Sequence, residues 1–377
     1  MMPKVKRLLL AIEILIFKFE NRKREIITKT KERGVKWLIY RVFMECWARS
    51  SLLVSWLTNA GLKINYQGSE ANDLISKKIA SGQPLMISRI GGTEASNMLA
   101  YKFGQSKDHI LVKYVKTFFA GMPKALYSFS LKDNHWRNDY SFKYLISVSG
   151  FFPHDKSLLP KFYKTMLDGL SDVDILAIFH HRYGYEAGLR EFFTGSSLVY
   201  LNILSADTIS FYKKPWSAHL AGKKVLVVHP FSKTISSQYK KRKLLFKNPQ
   251  VLPKFDLKTI KAVQTLGKNE TAGFKNWFEA LDHMKNQINS TEFDIAIIGC
   301  GAYGLPLASH VKKMGKQAIH IGGATQLLFG ILGNRWSNKA YMHDNKMAQQ
   351  INIEHWVRPS KEERPVDYQL IEESCYW

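Results

Sequence analysis

Seven consecutive residues, Ser88-Arg89-Ile90-Gly91-Gly92-Thr93-Glu94, place an arginine, two glycines, a hydroxyl and a carboxylate together. An arginine fork pairs with phosphate through two parallel hydrogen bonds. Gly91, Gly92 and Thr93 would let the backbone approach that phosphate closely. Glu94 could ligate a divalent metal or take a proton as a general base. A plainer role for the same residues is an Arg89–Glu94 ion pair stapling the turn.

A second group is Asp294-Ile295-Ala296-Ile297-Ile298-Gly299-Cys300-Gly301-Ala302-Tyr303-Gly304. Its GxGxxG follows an apolar run and precedes a helical pattern. Such a turn brings backbone N–H groups and the positive end of a helix to a diphosphate. Gly299, Gly301, Ala302 and Tyr303 are the candidate contacts; a tight turn without ligand is the alternative. A dinucleotide site also wants an acid at the tip of the next strand. That run, Gln317 to Ile321, leads into Gly322 and Gly323 and offers His320 but no acid, which disfavours a dehydrogenase. A third group, Val225 to Ser232, puts His229 and Ser232 at a strand end, as donor contacts or as turn residues satisfied by backbone. His180, His181 and Asp207 occupy similar positions. No HExxH is present, which argues against a zinc hydrolase. The three cysteines, Cys46, Cys300 and Cys375, form no CxxC pair and suggest a reducing, cytoplasmic setting.

These residues need strands to carry them. Runs at 85–90, 174–179, 198–204, 224–228, 294–298 and 317–321 are continuously apolar, as strands covered on both faces must be. Helical patterns between them, at 273–288 and 303–314 for example, indicate a doubly wound α/β domain with a mostly parallel sheet. Its ligands would sit beyond the carboxyl ends of the strands. The expected organisation is a basic helical extension over 1–68, the α/β domain over 69–345, and a tail over 346–377 that is polar and loosely docked from Arg358.

Net charge is +24, from 55 Lys and Arg against 31 Asp and Glu. Anionic membrane, nucleic acid and phosphorylated substrates all suit such a balance. Residues 1–36 carry 11 basic and 4 acidic residues beside an apolar stripe, which could lie on an anionic bilayer or pack on the body of the protein. Lys240-Lys241-Arg242-Lys243 could grip phosphate or form a solvated helix face. No nucleic-acid-binding signature accompanies it, so nucleic acid is a poor second. No apolar span is long enough to cross a bilayer.

The segment 88–94 and the region Gly299 to Gly323, with the trailing 324–330, resemble the GT-D-type glycosyltransferase domain of bacterial polysaccharide and glycoprotein glycosylation loci. The likeness covers about residues 70 to 340. It implies a Rossmann-related fold and transfer of a sugar from a nucleotide-diphosphate donor to a glycan or lipid-linked acceptor, in capsule or O-antigen type synthesis. The basic surface adds an expected cytoplasmic location with peripheral contact at the inner face of the cytoplasmic membrane. The family's motif reads Arg, an aromatic or aliphatic residue, Gly, Asp, any residue, Glu. Arg89, Gly91 and Glu94 match it; Gly92 stands where the family has its metal-associated Asp. That substitution implies either a metal-independent variant or a manganese or magnesium ion with a ligand from elsewhere, such as Asp207. The alternatives are another nucleotide-dependent enzyme, a dehydrogenase or methyltransferase, and a basic nucleic-acid- or membrane-binding protein.

Overall fold

The computed structural model describes residues 62–105, 139–179, 186–265, 272–337, 347–365, 368–370 and 374–377, with isolated positions before 113. The expected N-terminal helical extension, His180 and His181 lie outside the described residues.

Seven strands form one sheet: β1 (Leu85–Arg89), β2 (Ile175–Ile178), β3 (Ser197–Tyr200), β4 (Lys224–His229), β5 (Asp256–Lys261), β6 (Ile295–Ile298) and β7 (Gln317–His320). Their order is β3-β2-β1-β7-β6-β4-β5, and every pairing is parallel. The architecture is Rossmann-like α/β. Ile87 pairs with Ile175 on one side and Ile319 on the other, which puts branched side chains in a row across the sheet. β2, β6 and β7 are buried along their whole length, which explains why their sequences do not alternate.

Alternate residues feed two cores. Met86, Leu176, Leu226, Val228, Ile298 and Ala318 face one layer. Leu85, Ile87, Val225, Val227, Ile297 and Ile319 face the other. The first layer holds α2 (Gly92–Gln105), α3 (Asp139–Ser149), α4 (Leu159–Ser171), α8 (Trp277–Asn289) and α9 (Gly304–Lys313). The second holds α1 (Gly68–Ala80), α5 (Ala206–Ile209), α6 (Ser232–Lys240), α7 (Arg242–Leu245) and α10 (Thr325–Leu328). Asn276 starts α8, its side chain accepting the N–H groups of Phe278 and Glu279 at 3.0 Å each.

Connections reverse direction between β4 and β6. The chain leaves β4 through α6 on the second face toward β5, and leaves β6 through α9 on the first face toward β7. The tips of the two strands therefore border a topological switch point, where open α/β sheets form a crevice.

Three sequence expectations need correcting. The run 198–204 is strand only to Tyr200 and then turns as 3-10 helix over Leu201–Leu204. β5 was absent from the expected strands. It lies at the sheet edge, with Asp256 and Lys261 exposed at its ends, so it carries no continuous apolar run. The segment after Arg358 is not loosely docked. Trp377 is 3% exposed and its ring lies 6.1 Å from Phe231. Arg358 Nη1 donates to the Trp377 main-chain oxygen at 2.6 Å, and Gln326 Nε2 donates to Tyr376 O at 3.2 Å. The polar composition of this segment hides a few large aromatic anchors.

Candidate functional site

β1 delivers Arg89 to the carboxyl edge, one strand from β7 and two from β6. Two strand spacings amount to about 10 Å, and Gly322 fills that gap. Gly322 follows β7 with φ +76°, and a Cβ there would lie 2.7 Å from Arg89 Nη1. On its other side, the Gly322 carbonyl oxygen would lie 2.7 Å from a Cβ built at Gly299. Gly322 thus packs between Arg89 and the glycine elbow after β6, which brings the two to one stretch of the carboxyl edge.

The guanidinium carbon of Arg89 sits 4.8 Å from the Phe179 ring centroid, an arrangement that holds the fork flat against an apolar face. Arg89 Nε is buried without a hydrogen-bond partner among the described residues. Glu186 is the acid that acts on Arg89 electrostatically. Its Oε1 accepts the Phe179 N–H at 3.1 Å. Burial pushes the Glu186 carboxyl above its ordinary range, while main-chain hydrogen bonds and the charge of Arg89 pull it back. A buried donor left unsatisfied carries a penalty. An anion meeting the fork would bring acceptor atoms to it.

Glu94 lies in the first turn of α2 and folds back over its own helix start. A Cβ at Gly91 would lie 1.8 Å from Glu94 Oε2, so glycine is required there for the carboxylate to occupy that place. No ion pair joins Arg89 to Glu94, so the two do not staple the turn. Ser96 Oγ and Asn97 Nδ2 both donate to Thr93 O, which fixes the turn behind them. A Cβ at Gly92 would meet no atom within 4 Å.

His229 and His320 close the floor. His229 Nδ1 accepts the Phe231 N–H at 3.0 Å, which leaves the ring proton on Nε2. The Cδ2 edge of the same ring would be 2.8 Å from a Cβ at Gly299. Burial drops the His229 pKa to about 3, so the ring is neutral. His320 Nδ1 lies 3.0 Å from Ser88 Oγ, and its Nε2 would lie 2.2 Å from a Cβ at Gly304. Burial, with the charge of Arg89, drops His320 to about 3 as well. His320 ties β1, β7 and the start of α9 together.

Around the elbow the residues divide. Gly299 packs against Thr325, Gly322 and His229. Gly301 has φ +56° and is exposed. Ala302 and Tyr303 turn into the core. The Tyr303 ring stacks on Trp277 with centroids 4.9 Å apart, and its hydroxyl is 3.2 Å from Thr265 Oγ1. Burial pushes both the Tyr303 phenol and the Cys300 thiol well above their ordinary ranges. Their side chains support the elbow and offer nothing to a ligand.

Ser232 opens α6, but the N-terminus of this helix is already filled. Glu363 Oε1 accepts Lys233 N–H at 2.7 Å and Glu363 Oε2 accepts Thr234 N–H at 3.2 Å. A carboxylate from the C-terminal segment sits where a phosphate would otherwise bind. At the start of α9 the Gly304 N–H already donates to Gly301 O and Pro306 has no N–H, so the exposed Gly301 turn ahead of it is the part open to a ligand.

Asp207 and Glu94 lie on different elements. Glu94 belongs to α2 on the first face, and Asp207 to α5 on the second, with β2 between their strands. Among the described residues no group of three or more His, Cys, Asp or Glu converges.

Gly322, Phe179, Glu186 and His320 were missed as site residues. They come from segments far apart in sequence, and only the glycine pair after β7 left a local trace.

The chain matches no family model, no curated protein and no solved structure.

Proposed function

We propose that the protein is a glycosyltransferase that takes a sugar from a nucleotide-diphosphate donor and passes it to a glycan or lipid-linked acceptor, in cell-surface polysaccharide synthesis. The observation that carries this reading is Arg89. Its fork lies at a strand tip against Phe179 and Gly322, with a buried unpartnered Nε, facing the same crevice as the glycine elbow.

In this scheme an acceptor hydroxyl oxygen bonds to the anomeric carbon, and the bond from that carbon to the donor diphosphate breaks. The hydroxyl proton goes to Glu94, and the nucleoside diphosphate leaves with the bonding pair. Arg89 and the backbone N–H groups of the Gly301 turn offset the charge that builds on the leaving phosphate. Such fixed charge stabilisation is the largest single contribution in many enzymes. Gly91 and Gly92 allow the diphosphate close to the backbone. No step needs a metal.

The experiment is donor screening by nucleoside diphosphate release, preceded by thermal shifts with nucleotide sugars, NAD and S-adenosylmethionine. A shift with a nucleotide sugar, followed by release, supports the proposal. Arg89→Ala should lower kcat by about 100- to 1,000-fold with the fold retained. Normal turnover in both Arg89→Ala and Glu94→Gln rejects the site, and a shift with NAD or S-adenosylmethionine alone rejects the reaction.

A further inference from the structure

From residue 208 to residue 255 the chain has eleven Lys and Arg and no Asp or Glu. Part of this stretch builds a surface around α7 on the second face. Phe211, Leu244 and Ile353 are 45%, 46% and 47% exposed there, against a rule of deep burial for such side chains in the rest of the domain. Single exposed apolar residues are ordinary; these three lie on backbone segments laced into one surface. Asn248 Nδ2 donates to Tyr212 O at 2.9 Å and to Lys213 O at 3.3 Å. Lys247 N–H donates to Gln350 O at 3.0 Å, and Asn352 N–H to Leu245 O at 3.1 Å. Asn352 Nδ2 adds a bond to Leu244 O at 2.9 Å. Lys213, Lys243 and Lys247 are exposed on the first two of these segments, beside Phe211 and Leu244. Glu354 and, beside Tyr212, Asp73 are the acids at its rim.

We propose that this surface docks the protein on an anionic bilayer, with Phe211, Leu244 and Ile353 entering the headgroup layer and Lys213, Lys243 and Lys247 meeting lipid phosphates. Apolar side chains ringed by lysine are the combination that an anionic interface rewards, since burial and Coulomb attraction then act together. Nucleic acid fits less well. Its backbone would engage the lysines, but Leu244 and Ile353 have no flat ring on which a base could stack. The surface is separate from the Arg89 crevice. α6 leaves the strand tips at Ser232 and runs nine residues to Lys240, so a docked protein keeps its crevice off the membrane.

The test is co-sedimentation of the full chain with vesicles of phosphatidylcholine alone or with phosphatidylglycerol added, across a salt series. Binding should require phosphatidylglycerol and weaken with salt. Each lysine near such a surface contributes a factor of about five. The triple variant Lys213→Gln, Lys243→Gln, Lys247→Gln should therefore bind about a hundredfold more weakly. Phe211→Ser, Leu244→Ser, Ile353→Ser should also weaken binding, chiefly at high salt. The single variants Leu244→Ser and Lys247→Gln should each lose several-fold, and thermal melts check that all remain folded. Parent-like vesicle binding in both triple variants overturns the proposal, because the basic segment before residue 37 would then be the anchor. Tighter binding to single-stranded RNA than to the anionic vesicles overturns it too. Neither outcome touches the sugar-transfer reading, since no nucleotide is involved.

Discussion

Gly299, Gly301 and Gly322 line one crevice for different physical reasons, and substitution by alanine separates them. At Gly299 an added Cβ meets Thr325 Oγ1 at 2.5 Å, a backbone carbonyl at 2.7 Å and the His229 ring at 2.8 Å. The His229 ring is buried at the end of β4 and the carbonyl belongs to the Gly322 backbone, so neither retreats easily. Gly299→Ala should destabilise by about 3 kcal/mol, the upper range for overpacking. At Gly301 the nearest atom is Ser149 O at 3.7 Å, so only the left-handed backbone opposes a side chain. Gly301→Ala should lose about 1 kcal/mol. Gly322→Ala carries the same backbone strain, but its steric conflict is with the movable end of Arg89. Its stability loss should resemble that of Gly301→Ala, while turnover falls with the displaced guanidinium. Urea unfolding and nucleoside diphosphate release, measured on the three variants, check this order. Equal turnover in Gly301→Ala and Gly322→Ala would detach Arg89 from the reaction.

Strands explain both what the sequence revealed and what it concealed. β1, β4, β6 and β7 were legible to within a residue or so, because burial on both faces demands an unbroken apolar run. Their tips made Arg89, Glu94, His229 and Gly299 legible as well. β5 was not, since an edge strand keeps charges such as Asp256 and Lys261. Glu186, Phe179 and Gly322 were hidden for another reason: their meeting with Arg89 is a tertiary event between separate loops, with no period to betray it. Two strand-end histidines carry a pH prediction. Both His229 and His320 are pushed from 6.5 to about 3, so the unfolded chain takes up protons that the fold refuses. Their contribution is intact above pH 6.5 and is lost as pH falls from there toward 3. At pH 5 each should have lost about 2 kcal/mol relative to pH 7. Urea melts of the parent and of His320→Gln at both pH values measure this, and the variant should show the shallower dependence. At α6, Glu363→Ala removes the acceptor for Lys233 and Thr234 N–H groups. The expected loss is about 2 kcal/mol, as for a hydrogen bond to a charged group. A neutral result would leave the N-terminus of α6 open to phosphate.

The whole molecule carries +24, and that charge is unevenly spread. The described ion pairs are mainly exposed ones, such as Lys164–Asp168 and Lys233–Glu362, which contribute little. Self-repulsion among the remaining cations opposes the compact state. Residues 208–255 add eleven cations with no acid among them, of which Lys224 and Lys233 are paired with Glu292 and Glu362. Salt shrinks the reach of these charges to about 8 Å at physiological strength and to about 3 Å at 1 M. Repulsion summed over many distant pairs is screened sooner than a contact pair at under 3 Å. Added sodium chloride should therefore raise the thermal midpoint, by about 2 °C for each 1 kcal/mol of repulsion relieved. The same rise should be smaller in the variant with Lys213, Lys243 and Lys247 replaced by glutamine, because its repulsion is already reduced. Scanning calorimetry of both proteins over a salt series decides the matter. A midpoint that falls with salt in the parent would mean that ion pairs, rather than excess positive charge, dominate the electrostatics of the fold.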